Sequence, residues 1–461
     1  MTTDQLDRAV REALKDWHPE GPSGPVGVAD RVMRRRRRRN AARALGTALG
    51  LAGICVGTVF ANGPGGGEAR PAGPPSQKSK LAWRATLPGK AWDACTLGSG
   101  AVYCQGPRYD AVGVDARTGK VEWTRKSKGD ATGASPAAVL PGVRDGVLYT
   151  FAEHAPRTSD TGTDLVALDT GSHRELWRHE MADSHRDRIA AMLFGDKVLA
   201  NSPSFRSVKA LDAKSGKELW QHRWKNADCD RAVIAGVPYL PCSPAGKGAA
   251  KESSLVRLDP DTGRPQTVAT VRANTAYLGT DGDAVLLAAP GGGRESFTKK
   301  DMSGKGSIDL VRVDTSSGKV SRHPVKGFPG YVVADGVILA QGNSSVSAYR
   351  AADGKRLWTR QHGLELRMEA APAGSPKMSE LVSPPVVDLE HRVAYLMSPA
   401  GQLVGLDLGS GAVRWKATVD LGEVPIQEGV APELMFDGSH LVGQSGDQLF
   451  RIKPVLPGAG S

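Results

Sequence analysis

The chain repeats itself, and the repeat leaves few folds open to it. A run of alternating apolar residues leads into Asp, turns through Ser/Thr-Gly-Lys and continues toward a tryptophan. The copies read AVGVDARTGKVEW, LVALDTGSHRELW, VKALDAKSGKELW, LVRLDPDTGRPQT, LVRVDTSSGKVSR, VSAYRAADGKRLW and LVGLDLGSGAVRW, then a truncated QLFRIKP. Their anchor positions are Asp115, Asp169, Asp212, Asp259, Asp314, Arg350, Asp407 and Lys453, about 48 residues apart. That period belongs to propeller blades rather than to helical repeats. The 56 Gly and 30 Pro agree, since many short strands need many tight turns.

Each part of the unit has a physical task. Alternation before the Asp marks a strand with one buried face, and the Asp carboxylate accepts backbone hydrogen bonds within the turn. Gly119, Gly216, Gly263, Gly318, Gly354 and Gly411 supply the left-handed conformation four residues later; in the second unit His173 stands there and Gly171 has moved forward. Trp123, Trp177, Trp220, Trp358 and Trp415 recur eight residues after the anchor, where a large ring fills the wedge between splayed blades. Thr267 and Arg322 replace it in units four and five, which predicts weaker contacts there. A second hairpin precedes each of these, with turns such as Asp145-Gly146, Asp281-Gly282-Asp283 and Asp335-Gly336, so each unit supplies four strands. The eighth unit lacks its tryptophan strand, whereas Lys80 to Thr86 reads as that strand without its unit and carries Trp83. The expectation is an all-β, eight-bladed β-propeller over residues 80–456, closed by its N-terminal strand and followed by a tail, 457–461.

The motif of apolar, Leu, Asp, two residues, Thr/Ser, Gly, Lys, two residues, Trp resembles the repeats of the pyrroloquinoline-quinone-like (PQQ-like) propeller family, from Lys80 to Pro454. The recurring Gly-His and Trp-Asp pairs of WD-type repeats form no pattern here. The resemblance implies one of two functions: quinone-dependent dehydrogenase, or a non-enzymatic scaffold or sensor of the BamB-like branch. The enzymes of the family set an adjacent cysteine pair against the quinone and an Asp base beside calcium. This sequence has no adjacent cysteines, and its Asp residues are mostly assigned to blade turns. Asp259-Pro260-Asp261 lacks the later acidic positions and closing Glu of a calcium loop. The 10 histidines show no metal spacing, and neither a Gly-x-Ser-x-Gly elbow nor a phosphate loop is present. The expectation is therefore a binding scaffold without catalytic residue, metal or cofactor, the alternative being a PQQ dehydrogenase-like oxidoreductase.

Ahead of the repeats, residues 44–61 (ALGTALGLAGICVGTVFA) are uncharged and would span about 27 Å as a helix, enough to cross a bilayer. Arg34 to Arg39 abut it, which places a short basic segment, 1–43, in the cytoplasm and the repeats outside. A cleavable signal ending at Val59-Phe60-Ala61 is the competing reading, and Ile54 before Cys55 argues against lipidation. Residues 1–43 carry +5 of the +11 net charge, so nucleic acid is not an expected partner. Within them Leu6, Val10 and Leu14 have helical spacing. Residues 62–79 read as a Pro/Gly linker. Abundant Ala, Gly and Arg suggest an actinobacterial-type source.

Four of the 5 cysteines follow the apolar segment. Cys95 and Cys104, and likewise Cys229 and Cys242, are placed symmetrically about Ser99-Gly100 and Ala235-Gly236, which predicts two cross-hairpin disulfides and an unpaired Cys55. Zinc is the other reading, but no Cys-x2-Cys spacing occurs. Two connections exceed what a repeat needs: 291–306, basic and Gly-rich, and 363–380, with Leu364, Leu366, Met368 and Met378. The second is the expected protein-binding surface, since loops vary without disturbing the blades and methionine adapts to a partner.

Overall fold

Where the sequence places two-residue hairpin turns, both residues take positive φ: Ser99 50° and Gly100 77°, Asp145 50° and Gly146 73°, Ala235 48° and Gly236 77°, Asp335 47° and Gly336 73°. These are mirror-image turns, whose twist matches that of the strands they join. The blades follow from them. The computed structural model describes residues 81–456 apart from 92–94, 128–139, 154–162, 182–189, 202–205, 246–251, 299–300, 302–305, 327–330, 343, 367, 370–377, 380 and 423–430.

Blade 1 is Cys95–Gly98, Ala101–Gly106, Tyr109–Asp115 and Val121–Lys126, paired antiparallel in that order. Six further sheets repeat the pattern, beginning with Gly142–Arg144, Ala191–Phe194, Ala227–Cys229, Ala276–Asp281, Tyr331–Ala334 and Val386–Asp388. Blade 8 takes Glu433–Phe436, Leu441–Ser445 and Gln448–Ile452 from the C-terminal end and Leu81–Thr86 from the N-terminal end. Leu81 opposes Ile452, and Ala85 opposes Leu449. Eight blades thus close into a propeller, each of four strands except blade 4, whose first strand is split into Ala227–Cys229 and Ala232–Ile234, both paired with Val237–Pro244. The first strands lie side by side around the axis and blade 8 meets blade 1.

A four-stranded meander puts its first and third connections at one end and its second, with the crossing to the next blade, at the other. The propeller therefore has two unlike faces. On the turn face no connection exceeds six residues, the longest being 259–264. The opposite, loop face carries every long one, including 291–306 in blade 5 and 362–385 between blades 6 and 7.

No helix among the described residues is long and apolar enough to cross a membrane. The expected spanning segment 44–61, the basic segment 1–43, the linker 62–79, Cys55 and the tail 457–461 lie outside the described residues.

Candidate functional site

The repeat signature builds the seams between blades. Trp83, Trp177, Trp220 and Trp358 each lie on the glycine of the next blade's turn: a Cβ on Gly119, Gly216, Gly263 or Gly411 would come within about 2.6 Å of the indole. Each indole Nε1 donates to the carbonyl one residue past the next anchor, Trp83 to Ala116 (2.8 Å), Trp177 to Ala213 (2.9 Å), Trp220 to Pro260 (2.9 Å) and Trp358 to Leu408 (3.0 Å). Tyr149 donates its hydroxyl to the same Ala213 carbonyl, at 3.0 Å. Trp415 has no such turn to meet, because in blade 8 the fourth strand comes from the N-terminal end and no turn joins it to the third. Its Nε1 and the hydroxyl of Tyr395, the counterpart of Tyr149, are buried without an acceptor among the described residues.

Where the tryptophan is replaced, other contacts close the seam. Gly318 faces the Val268 carbonyl and Gly354 faces Val325. Between blades 4 and 5 a buried hydroxyl network adds to this: Ser253 Oγ donates to the Ala273 carbonyl (2.7 Å) and accepts from Thr275 N (3.0 Å).

The anchor carboxylates stay within their own turns. Asp115 Oδ1 accepts from Thr118 N and Oγ1 (both 2.6 Å), and Asp169, Asp212, Asp259 and Asp314 repeat this with Ser172, Ser215, Thr262 and Ser317. These hydrogen bonds hold all five carboxyls below the usual carboxylate range. Asp259 and Asp261 are thus parts of a blade turn. Disulfides join Cys95 to Cys104 (Cα–Cα 4.1 Å) and Cys229 to Cys242 (3.9 Å), each across the first hairpin of its blade.

The loop face holds the two connections singled out in the sequence. Beyond Gln361 the chain is pinned: His362 is buried and accepts from Leu364 N at 3.1 Å, and Glu365 N donates to Gln402 Oε1 of blade 7 at 2.7 Å. A short ribbon then pairs Met368–Glu369 with Met378–Ser379. Leu364 and Leu366, expected in a protein-binding loop, are partly buried at its base. Both pack against the apolar cluster that spans blades 6 and 7.

The 291–306 insertion is internally tied. Arg294 donates to both Asp301 oxygens (2.7 and 2.9 Å) and to the Gly291 and Ser307 carbonyls, while Thr298 N and Oγ1 also donate to Asp301. The Arg294 guanidinium holds the Asp301 carboxyl far below its ordinary value. A second network was equally invisible in the repeat pattern. Glu175 of blade 2 is bound by Arg178 and by Arg125 of blade 1, which hold its pKa down to about 2. Arg178 also reaches the buried Asp164 at 2.7 Å. Only the facing of side chains across strands joins these residues.

No three His, Cys, Asp or Glu side chains among the described residues converge on a metal position, and all four cysteines there are engaged in separate hairpins.

Fold and seams define an eight-bladed propeller of PQQ-like repeats. The family described as outer membrane protein assembly factor BamB matches residues 76–204 and 204–431, and the chain belongs to it. No curated protein matches the sequence. Among solved structures, BamB from Moraxella catarrhalis is similar at 15% identity, covering 81% of this chain and 99% of its own, with a TM-score of 0.51. The computationally designed Ika8 protein (12%, covering 81% and 99%, TM-score 0.50) and a europium-containing methanol dehydrogenase (12%, covering 81% and 93%, TM-score 0.50) share the fold as well. One architecture thus serves an assembly factor, a design and an enzyme, so function rests on what each chain adds to its blades.

Proposed function

We propose that this chain is a non-catalytic, membrane-anchored, extracytoplasmic scaffold that binds a protein partner through its loop face. The supporting observation is the asymmetry of the ring. Every connection longer than six residues is on one face, and the longest, 362–385, is braced at its base by His362, Leu364, Leu366 and Gln402. A braced base keeps a binding segment positioned at small entropic cost on association. Membership of the BamB-described family agrees with a scaffold.

The test is capture of partners by the full-length protein and by a variant with residues 367–380 replaced by Gly/Ser, which spares the packed leucines. A partner held by the wild type and lost by the variant, with unchanged melting, supports the reading. Equal capture moves the site off this connection, and dye-linked alcohol oxidation on adding PQQ and calcium would replace the scaffold reading with an enzyme.

A further inference from the structure

The direction of the strands in blade 8 decides which face meets the membrane. Its third strand, Gln448–Ile452, runs from the loop face to the turn face, and Leu81–Thr86 runs back beside it. Leu81 therefore lies opposite Ile452 at the turn face, and Leu87 reaches the loop face, where its N–H donates to the Asp447 carbonyl at 2.8 Å. The segment before Leu81 must leave the ring where the third connection of blade 8 would have been. The tether therefore starts from the turn face, at the outer rim beside blade 1.

The charges of the neighbouring blades are arranged unevenly about that point. Arg117 and Lys120 of blade 1, Arg174 of blade 2, and Lys214 and Lys217 of blade 3 are exposed on the turn-face rim, and none has an ion-pair partner among the described residues. Most acids of this sector are engaged: Glu175 by Arg125 and Arg178, Glu218 by Lys209, Asp196 by Lys197, and the three anchor carboxylates by their own turns. Among the described residues of these blades' turn face, Glu122 and Asp145 are the acids that oppose the five cations without an ion-pair partner. Farther round, Arg264, Lys319 and Lys355 stand singly at the equivalent positions of blades 4, 5 and 6, and exposed Asp283 and Glu390 lie in the first turns of blades 5 and 7.

We propose that the turn face is the membrane-proximal face and that the rim of blades 1–3 rests on anionic lipid headgroups, directing the loop face away from the bilayer. This rests on the reading of residues 44–61 as a membrane span. The linker 62–79 is long enough to let the ring either stand off or lie down, so it leaves the choice to the rim. Lysine and arginine beside an anionic surface each add attraction, and salt weakens it. A partner on the loop face is then approached from the extracytoplasmic side and not through the lipid.

The test uses the full chain reconstituted in vesicles of phosphatidylcholine alone or mixed with phosphatidylglycerol, labelled with a membrane-impermeant amine reagent and read by peptide mass spectrometry. Lys120, Lys214 and Lys217 should react severalfold more slowly in the anionic vesicles, recovering in high salt or in an Arg117→Glu/Arg174→Glu variant. Lys90, Lys126 and Lys225, on or beside the loop face, should be unaffected. Equal labelling of the two faces, or protection of the loop-face set, overturns the proposal. Alkaline carbonate extraction separates the two readings. A chain that stays in the membrane with unprotected rim lysines keeps the span and loses the rim contact; a chain that is released yet showed rim protection does the reverse.

Discussion

His173 and Trp123 stack across the seam between blades 1 and 2, ring centroids 4.8 Å apart and planes 28° from parallel. Four of the other seams set the tryptophan on a bare glycine, and here the turn supplies an aromatic ring instead. His173 adopts φ 61° to do so, a conformation costly for any side chain. The stack offsets that cost. His173→Ala keeps the strained backbone and loses the ring, and should destabilise the domain by about 1–2 kcal/mol. A double-mutant cycle with Trp123→Ala by urea denaturation should return a coupling of about 0.5–1.5 kcal/mol; additive losses would mean the rings merely lie near one another.

Glycines of the two turn types should differ in what they tolerate. Gly236 (φ 77°) has open space around a built Cβ, whereas the same atom on Gly216 (φ 70°) would sit 2.6 Å from Trp177. Gly236→Ala should cost about 1–2 kcal/mol from backbone strain alone, and Gly216→Ala about 2–5 kcal/mol because the indole must also move. Equal losses would show that φ, not packing, selects the glycine.

Tyr149 and Tyr395 occupy the same place in their blades but differ in having an acceptor. Tyr149→Phe removes a buried hydrogen bond to Ala213 and should cost about 1 kcal/mol. Tyr395→Phe removes a hydroxyl with no acceptor among the described residues and should be neutral or stabilising. Melting curves of the two variants compare them directly.

Acid should loosen the seam between blades 1 and 2. Arg178 and Arg125 hold Glu175 at about 2, below the roughly 4.3 of an unfolded chain, so its contribution is complete above the unfolded value and disappears as pH falls from about 4 toward 2. The lowered anchor carboxyls and Asp301 act in the same direction. Urea midpoints measured from pH 7 downward should fall below pH 4, and less steeply in Glu175→Gln, which starts lower at neutral pH. Identical profiles would remove Glu175 from the account.

Deleting residues 80–87 should expose the edge of Gln448–Ile452 and remove Trp83 from Gly119. The whole ring should then melt at a lower temperature and associate through the open edge. A deletion that melts with the wild type would mean that blade 8 holds without its fourth strand.

The periodic sequence determined the blade count, the hairpin turns, both disulfides and the N-terminal closure. Each of these depends on residues close in sequence or on a repeat lacking its partner strand, and alternation, positive-φ glycines and cysteine symmetry record them directly. The tertiary structure decided everything that depends on which side chains face each other. Spacing alone could show neither that the turn glycine serves the tryptophan of the preceding blade, nor that Glu175 belongs to Arg125 across a seam. It could not show that Asp301 is held by Arg294, or that Leu364 and Leu366 are partly spent on the core. The two faces were likewise settled only when strand direction became visible, because a connection's length is written in the sequence but the end of the sheet on which it falls is set by antiparallel pairing.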